Sequence, residues 1–514
     1  MRFTPNFPEE MALEPSYDQF ASDYEQGRNQ VVYTRLAADL DTPVSLMLKL
    51  AEARPDSFIL ESVTGGEVRG RYSIIGMKPD LVWKCSGEQA QINRNARFDA
   101  DAFTDQAGPP LENLRALIAE SRIELPADLP AAAAGLFGYL GYDMIRLVEN
   151  LPDVNPDPLG LPDAVLMRPS VVVVLDGVKG EVIVVSPAWA ASGLSARAAY
   201  AQAGERVMDA VRDLERQPAD AGYNLGEAEP AAQAVSNFRK EDYLAAVDKA
   251  KDYIRAGDIF QVVPSQRWTL PFTLPPFALY RSLRRTNPSP FMFFFNFGGF
   301  QVIGASPEIL VRVFDGEVTV RPIAGTRPRG ATAAEDKAHE DSLLADEKEL
   351  AEHLMLLDLG RNDVGRVARI GTVHPTEKFI IERYSHVMHI VSNVVGELAD
   401  DQDALSALLA GMPAGTVSGA PKVRAMEIID ELEPEKRGVY GGAVGYFASN
   451  GDMDMCIALR TSVLKDENLY VQAGGGIVHD SNPEAEFQET VHKSRAMLRA
   501  AADAGRFARR TNRS

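Results

Sequence analysis

Between Phe260 and Arg321 the chain runs through short apolar segments set apart by very short turns. Candidate strands cover 260–269, 291–297, 300–304, 310–314 and 317–321, with Gly298-Gly299 and Asp315-Gly316 each joining two neighbours. A two-residue turn joins only antiparallel partners, because a parallel crossover needs a dozen residues or more. The pattern predicts antiparallel sheet, resumed after two helices by strands at about 439–448, 454–464 and 468–472. Strands also stand at 57–62, 71–75, 171–175 and 181–185, mixed with helical stretches at 43–54 and 196–215. They alternate in no regular way, which predicts an α+β fold and not a doubly wound one.

A chain of 514 residues is too long for one core, so two domains are expected. The boundary falls between about Arg216 and Asn237, in an Ala/Glu/Pro-rich stretch without periodicity, giving units of 1–225 and 237–505. Just after it, Tyr243, Val247, Ala250 and Ile254 share one face of a helix over 238–256 that Gly257 caps. The net charge of −20 argues against nucleic acid or an anionic membrane as partner. Cys85 and Cys456 are too few for a disulfide framework and read as packing residues. With no apolar leader after Met1 and no run long enough to span a bilayer, a cytoplasmic protein is expected.

Two helices carry Glu-x-x-Glu pairs. On the first, Glu349 and Glu352 stand side by side, with Leu343, Leu350, Leu354 and Leu357 predicted to face the core. The second begins at Ser481-Asn482-Pro483-Glu484, a predicted capping box, and puts Glu486, Glu489 and Lys493 on one face. Like charges at this spacing cost a few tenths of a kcal/mol each on an isolated helix. A divalent cation would remove that cost, and hard oxygen ligands from two helices suit magnesium. Alone, most such pairs are solvated acidic faces, with Glu489 and Lys493 a surface ion pair.

Other features gather around these helices. The stretch 321–330 (RPIAGTRPRG) ends a strand with three arginines among tight turns, suited to an anion or to solvent. The stretch 415–422 (GTVSGAPK) opens a helix striped by Val423, Met426 and Ile429, but lacks the Gly-Lys-Ser/Thr ending of a P-loop. Gly474, Gly475 and Gly476 follow a strand and let a ligand approach bare backbone, or simply form a turn. His389 lies in an apolar run, as a core histidine would, and Arg460 is placed for a carboxylate or an ordinary ion pair.

Taken together, 257–267 (GDIFQVVPSQR), 304–308 (GASPE), 321–330, 346–363 (DEKELAEHLMLLDLGRND), 415–426 (GTVSGAPKVRAM) and 486–493 (EFQETVHK) closely resemble the chorismate-utilising enzymes. The likeness spans about Phe238 to Arg499, roughly half the chain. The implied fold is mainly antiparallel sheets packed as a sandwich, helices outside, in two interwoven domains. Gln261 stands where family members that activate water carry lysine, and Ala324 where aminodeoxychorismate-forming members usually carry lysine. Both favour the anthranilate-forming branch, which aminates chorismate at C2 with ammonia and then eliminates pyruvate, the first step of tryptophan biosynthesis.

The resemblance implies roles residue by residue. Glu352 and Glu489 match direct magnesium ligands, and Glu349 and Glu486 match holders of metal-bound water. Glu308 matches the general acid for the C4 hydroxyl, His389 the histidine of enolpyruvyl elimination, and Thr416 a catalytic-site residue near the same chorismate site. Gly325, Thr326, Tyr440, Arg460, Gly474, Gly475, Gly476 and Lys493 match contacts to chorismate. Nothing resembles a glutaminase, so a separate glutamine amidotransferase subunit is expected to supply ammonia in a hetero-oligomer. Ile59-Leu60-Glu61-Ser62 and Asn287-Pro288-Ser289-Pro290-Phe291-Met292 resemble the two walls of a feedback site for L-tryptophan, with Ser62, Pro290, Phe291 and Met292 as contacts. Phe291 replaces the usual tyrosine there, and Ile59 the usual leucine. The alternatives are an aminodeoxychorismate synthase component, disfavoured by Ala324, and a non-catalytic amino-acid sensor on the same scaffold.

Overall fold

The computed structural model describes residues 12–51, 54–62, 70–216, 233–384 and 387–508. Most of the segment expected to divide the chain, 217–232, lies outside them. Two antiparallel sheets face each other. In the first the order is Ser265–Pro271, Asn468–Gly474, Thr461–Lys465, Gln301–Ser306, Phe291–Asn296, Ser57–Glu61. In the second it is Ile323–Pro328, Val387–Glu397, Glu317–Val320, Ile309–Phe314, Met453–Ile457, Ala443–Ala448, Gly135–Leu140. The long strands Tyr72–Ser86 and Ala164–Asp176 pair with each other and belong to both sheets. Tyr72–Ser86 joins Ser57–Glu61 near its start, and Ala164–Asp176 joins Gly135–Leu140 near its own. The register between them shifts at Pro79/Leu81, where a proline that cannot donate a ladder bond lets the pair turn from one sheet into the other.

The strand period of two sorts the side chains. Phe293 and Phe295 point inward and pack with Phe58 and Val302 against Phe137, Tyr139, Val444 and Cys456 of the other sheet. Met292 and Phe294 point outward, into a layer with Leu46, Val207, Leu283 and Met497 of four helices. The second sheet is covered likewise by helices carrying Leu114, Leu357 and Leu408. Burial of each such phenylalanine contributes roughly 2–3 kcal/mol. The α+β sandwich with helices outside is as the sequence led one to expect. Cys85 and Cys456 are free and buried in it. Among the described residues no helix is long and apolar enough to cross a membrane.

Several boundaries differ from expectation. The stretch 260–269 is two strands, Gln261–Val262 and Ser265–Pro271, parted at Pro264. The stretch 454–464 is also two, Met453–Ile457 and Thr461–Lys465, because there the chain leaves the second sheet and enters the first. Residues 321–330 hold a strand, Ile323–Pro328, bulged where Gly325 takes φ +69°. The predicted leucine stripe is broken: Asp346 caps a fresh helix, Glu347–Gly365, so Leu343 belongs to the preceding one and Leu354 is 56% exposed. Leu343 and Leu357 are buried as expected and Leu350 is partly buried, joined on the inward side by His353, Leu356, Gly360 and Val364. The capping box is not formed. Asn482 alone caps Pro483–Asp503, accepting from the Ala485 amide at 3.0 Å, while Glu484 pairs with Lys240. Val423 is half-exposed, and Ala425 and Ile428 take its expected place in the core. Helix Lys240–Ala256 ends at Gly257, φ +82°, as predicted.

Candidate functional site

The site lies where the chain crosses between the sheets. One crossing, Ser306 to Ile309, carries Glu308; the other, Ile457 to Thr461, carries Arg460 at φ +47°. Backbone released from both ladders can turn side chains into the gap, and a non-glycine residue at positive φ is held there at a cost of about 1–3 kcal/mol. Among the described residues the Arg460 guanidinium makes no hydrogen bond or ion pair, yet it feels the charges of Glu308 and Tyr384. Glu308 is buried, and burial pushes its carboxyl up to about 8 while Thr416, Arg460 and Lys493 act in the opposite sense. Thr416 Oγ1 donates across 3.3 and 3.4 Å to the two carboxylate oxygens. A carboxyl group there is protonated near neutrality, as a general acid must be.

His389 sits opposite Thr326 on the neighbouring strand. Its Nδ1 lies 2.9 Å from the Gly325 carbonyl oxygen and 3.1 Å from Thr326 Oγ1. A carbonyl only accepts, so Nδ1 carries the proton and Nε2 is left free to accept one. Burial lowers the histidine pKa, against the Gly325 bond, which keeps that tautomer neutral. A Cβ on Gly325 would come within 3.0 Å of Leu343 and 3.1 Å of Glu349, so the bulge closes tightly on the first carboxylate helix.

The glycine run forms a floor. Gly474 lies under Tyr440, whose hydroxyl accepts the Gly474 amide, and Lys493 Nζ donates to the Gly474 carbonyl at 3.1 Å. A Cβ on Gly475 would meet the Glu486 carboxylate at 3.5 Å, and one on Gly476 would meet Gln261 Nε2 at 2.7 Å. Gln261 Nε2 in turn donates to Glu352 Oε1 at 3.1 Å, tying the floor to the first helix.

All four helix carboxylates border this space. Burial raises the pKa of Glu352, and Glu349 and Glu489 raise it further. Burial does the same to Glu486, with Glu489 adding to it and Ser481 opposing. Glu349 bonds Arg327 at 3.4 Å, and Glu489 pairs with Lys493 at 2.7 Å, both half-exposed at that end. Glu486 Oε2 is buried with no partner among the described residues. Among the described residues no three His, Cys, Asp or Glu side chains form a ready cage for an ion. Mutually repelling hard-oxygen donors with one orphaned oxygen fit magnesium, which keeps several waters and takes few protein ligands.

Sequence reasoning missed Glu433 and Arg437, a buried pair behind the floor; their i,i+4 spacing at a helix end is too common to single out. The residues expected to hold tryptophan also come together: Met292 pairs with Glu61, which brings Ser62 beside Phe291. Glu61 accepts from Tyr280 and Arg284, while Met292 itself is 1% exposed and packs outward under the helices. Residues 63–69 lie outside the described set.

A family model for chorismate binding enzymes matches residues 71–499. Anthranilate synthase component 1 of Cereibacter sphaeroides is 77% identical over 96% of this chain and 99% of its own length. The protein of the same name from Pseudomonas putida is 52% identical over 90% and 94%. The crystal structure of anthranilate synthase component I from Streptococcus pneumoniae superposes with a TM-score of 0.73 at 37% identity, covering 90% of this chain and 98% of that one. A menaquinone-specific isochorismate synthase from Escherichia coli, 18% identical, shares the fold with a TM-score of 0.70 over 95% and 98%.

Proposed function

This chain belongs to the chorismate-binding enzymes, among the anthranilate synthase component 1 proteins, and from that premise we propose that it is a lyase converting chorismate and ammonia to anthranilate, pyruvate and water. The observation that carries the reading is Glu308: a buried carboxyl, held protonated by its surroundings, within electrostatic reach of an arginine that is otherwise unpaired among the described residues.

Arg460 and the backbone of Gly474, Gly475 and Gly476 bind the substrate's carboxylates, with Lys493 adding positive charge at the rim. Thr326 and Tyr440 bound the ring. Glu308 gives its proton to the C4 oxygen as that C–O bond breaks, so water leaves and not hydroxide. Ammonia forms the new bond at C2, and a proton from its nitrogen returns the carboxylate to its acid form. His389, with Nε2 free, assists the second elimination: the C2 proton is taken up, the C3–O bond breaks as the ring becomes aromatic, and the departing enolpyruvate takes a proton at its methylene carbon to leave as pyruvate. Glu352 and Glu489 would hold magnesium directly, with Glu349 and Glu486 acting through water. Bound there, the ion would supply Lewis-acid polarisation of the ring carboxylate.

Ammonia comes from a glutamine amidotransferase subunit, in keeping with the component 1 naming of the relatives. L-tryptophan inhibits from the Ser62, Pro290, Phe291 and Met292 region, and the setting is the cytoplasm. The test is fluorescence detection of anthranilate from chorismate, magnesium and ammonium, repeated with the partner, glutamine and tryptophan. 4-Amino-4-deoxychorismate as the main product overturns the reading, as does the absence of any turnover.

A further inference from the structure

Behind the glycine floor lies an ion pair that no step above uses. Glu433 and Arg437 are 3% and 1% exposed. The guanidinium spends its donors in three directions. Its Nε lies 3.1 and 3.0 Å from the Glu433 oxygens, Nη1 donates to the Val417 carbonyl at 2.6 Å, and Nη2 to the Val263 carbonyl at 2.7 Å. Its faces meet the rings of Tyr142 and Tyr440, 4.7 and 5.5 Å from their centroids. Glu433 accepts in addition from the Ser265 amide at 2.7 Å and hydroxyl at 2.8 Å.

Desolvating two charges is costly, and well-packed apolar residues of like volume often stabilise a fold better. Stability alone is therefore a weak reason for the pair, and what its donors hold is more telling. Val417 follows Thr416, the partner of Glu308. Val263 and Ser265 flank Pro264, whose carbonyl accepts the Gly475 amide at 3.2 Å. Tyr440 covers Gly474.

We propose that Arg437 is a positioning residue for the reaction: by gripping the Val417 and Val263 carbonyls while lying against Tyr440, it sets the distance between the Thr416–Glu308 acid and the glycine floor that carries the substrate. The proposal rests on the anthranilate-forming reading. A lysine keeps the charge but, as a point donor, cannot reach both carbonyls and the carboxylate in a fixed plane.

The test is a double-mutant cycle on the purified full-length protein with chorismate, magnesium and ammonium, scored by kcat, KM and Tm. R437K lowers kcat about 100-fold, the cost of a misplacement of about 1 Å, with KM changed only a few-fold. In a Thr416→Val background the same substitution costs at most a few-fold, because the group it positions is already gone. Should R437K not fold, Glu433→Asp retracts the carboxylate, rotates the guanidinium and takes its place in the cycle. Equal losses in both backgrounds, a loss of KM alone, or full activity overturns the proposal. A wild-type protein that forms no anthranilate instead defeats the functional reading, and this proposal with it.

Discussion

Thr416 donates a hydrogen bond from its hydroxyl to Glu308, lying 3.3 and 3.4 Å from the two carboxylate oxygens, beside a cavity lined by Leu356, Leu359 and Ile457 together with Arg321 and Asp363. The carboxyl pKa of about 8 follows from that burial, which one hydroxyl does little to offset. With Glu308 as the acid, kcat/KM falls as pH rises through about 8 and Glu308→Gln removes that limb along with most of the activity. A pH–rate profile flat to pH 9 contradicts this.

The same shift makes a stability prediction. The folded pKa lies above the unfolded one, so the contribution of Glu308 is complete below the ordinary glutamate value of about 4.3 and declines until the folded group ionises near 8. Glu308→Gln is then more stable than wild type at pH 8, by on the order of a few kcal/mol, and equal to it at pH 4. Chemical denaturation at the two pH values checks the sign.

Glu352 is expected to trade stability for metal. Its raised pKa reflects burial and the nearby charges of Glu349 and Glu489, so Glu352→Gln stabilises the magnesium-free protein. In wild type, magnesium at 100 times its Kd adds about 2.7 kcal/mol, a gain the variant loses together with turnover. Thermal melts with magnesium and with chelator separate the two effects, and an unchanged magnesium shift in the variant rules out the ligand role.

Gly476→Ala puts a methyl group 2.7 Å from Gln261 Nε2, the free end of a flexible side chain. Gln261 swings away, Glu352 loses its hydrogen bond, and the fold barely notices. The expected result is roughly a tenfold loss of kcat/KM, near the worth of one hydrogen bond to a charged group, with Tm little changed. Loss of fold in place of activity means the glycine is needed for packing alone.

Ser62→Ala is expected to weaken tryptophan inhibition about tenfold, for one lost hydrogen bond to the effector, with kcat and KM intact. Inhibition curves at fixed chorismate decide it.

Much of this was legible in the sequence because it depends on local period and turn chemistry. Asp315-Gly316 and Gly298-Gly299 marked hairpins that exist, and the Glu-x-x-Glu spacing placed both carboxylate pairs on helices. What failed depended on the other sheet. Apolar runs such as 454–464 carry no mark showing where a strand leaves one sheet for another, and that crossing is what turns Arg460 inward. Leu354 lies outward because Asp346 restarts the helix, and an aspartate within a charged run looks like any helical residue. The orphaned oxygen of Glu486 and the grip of Arg437 on two carbonyls are relations between distant segments, with no trace in either segment alone.

The strands shared between the chain's two halves also bear on how the protein is made. Ser57–Glu61 waits for Phe291–Asn296, about 230 residues later, and Gly135–Leu140 waits for Ala443–Ala448, about 300 residues later. At a synthesis rate of about 5–20 residues per second, those edges stay unpaired for roughly 10–60 seconds on the ribosome. An apolar edge exposed that long is a template for the wrong neighbour. The nascent chain is thus at its most vulnerable just before Phe291–Asn296 emerges, with both edges still open, and yield in the cell should depend on chaperone supply as well as on the stability of the finished fold.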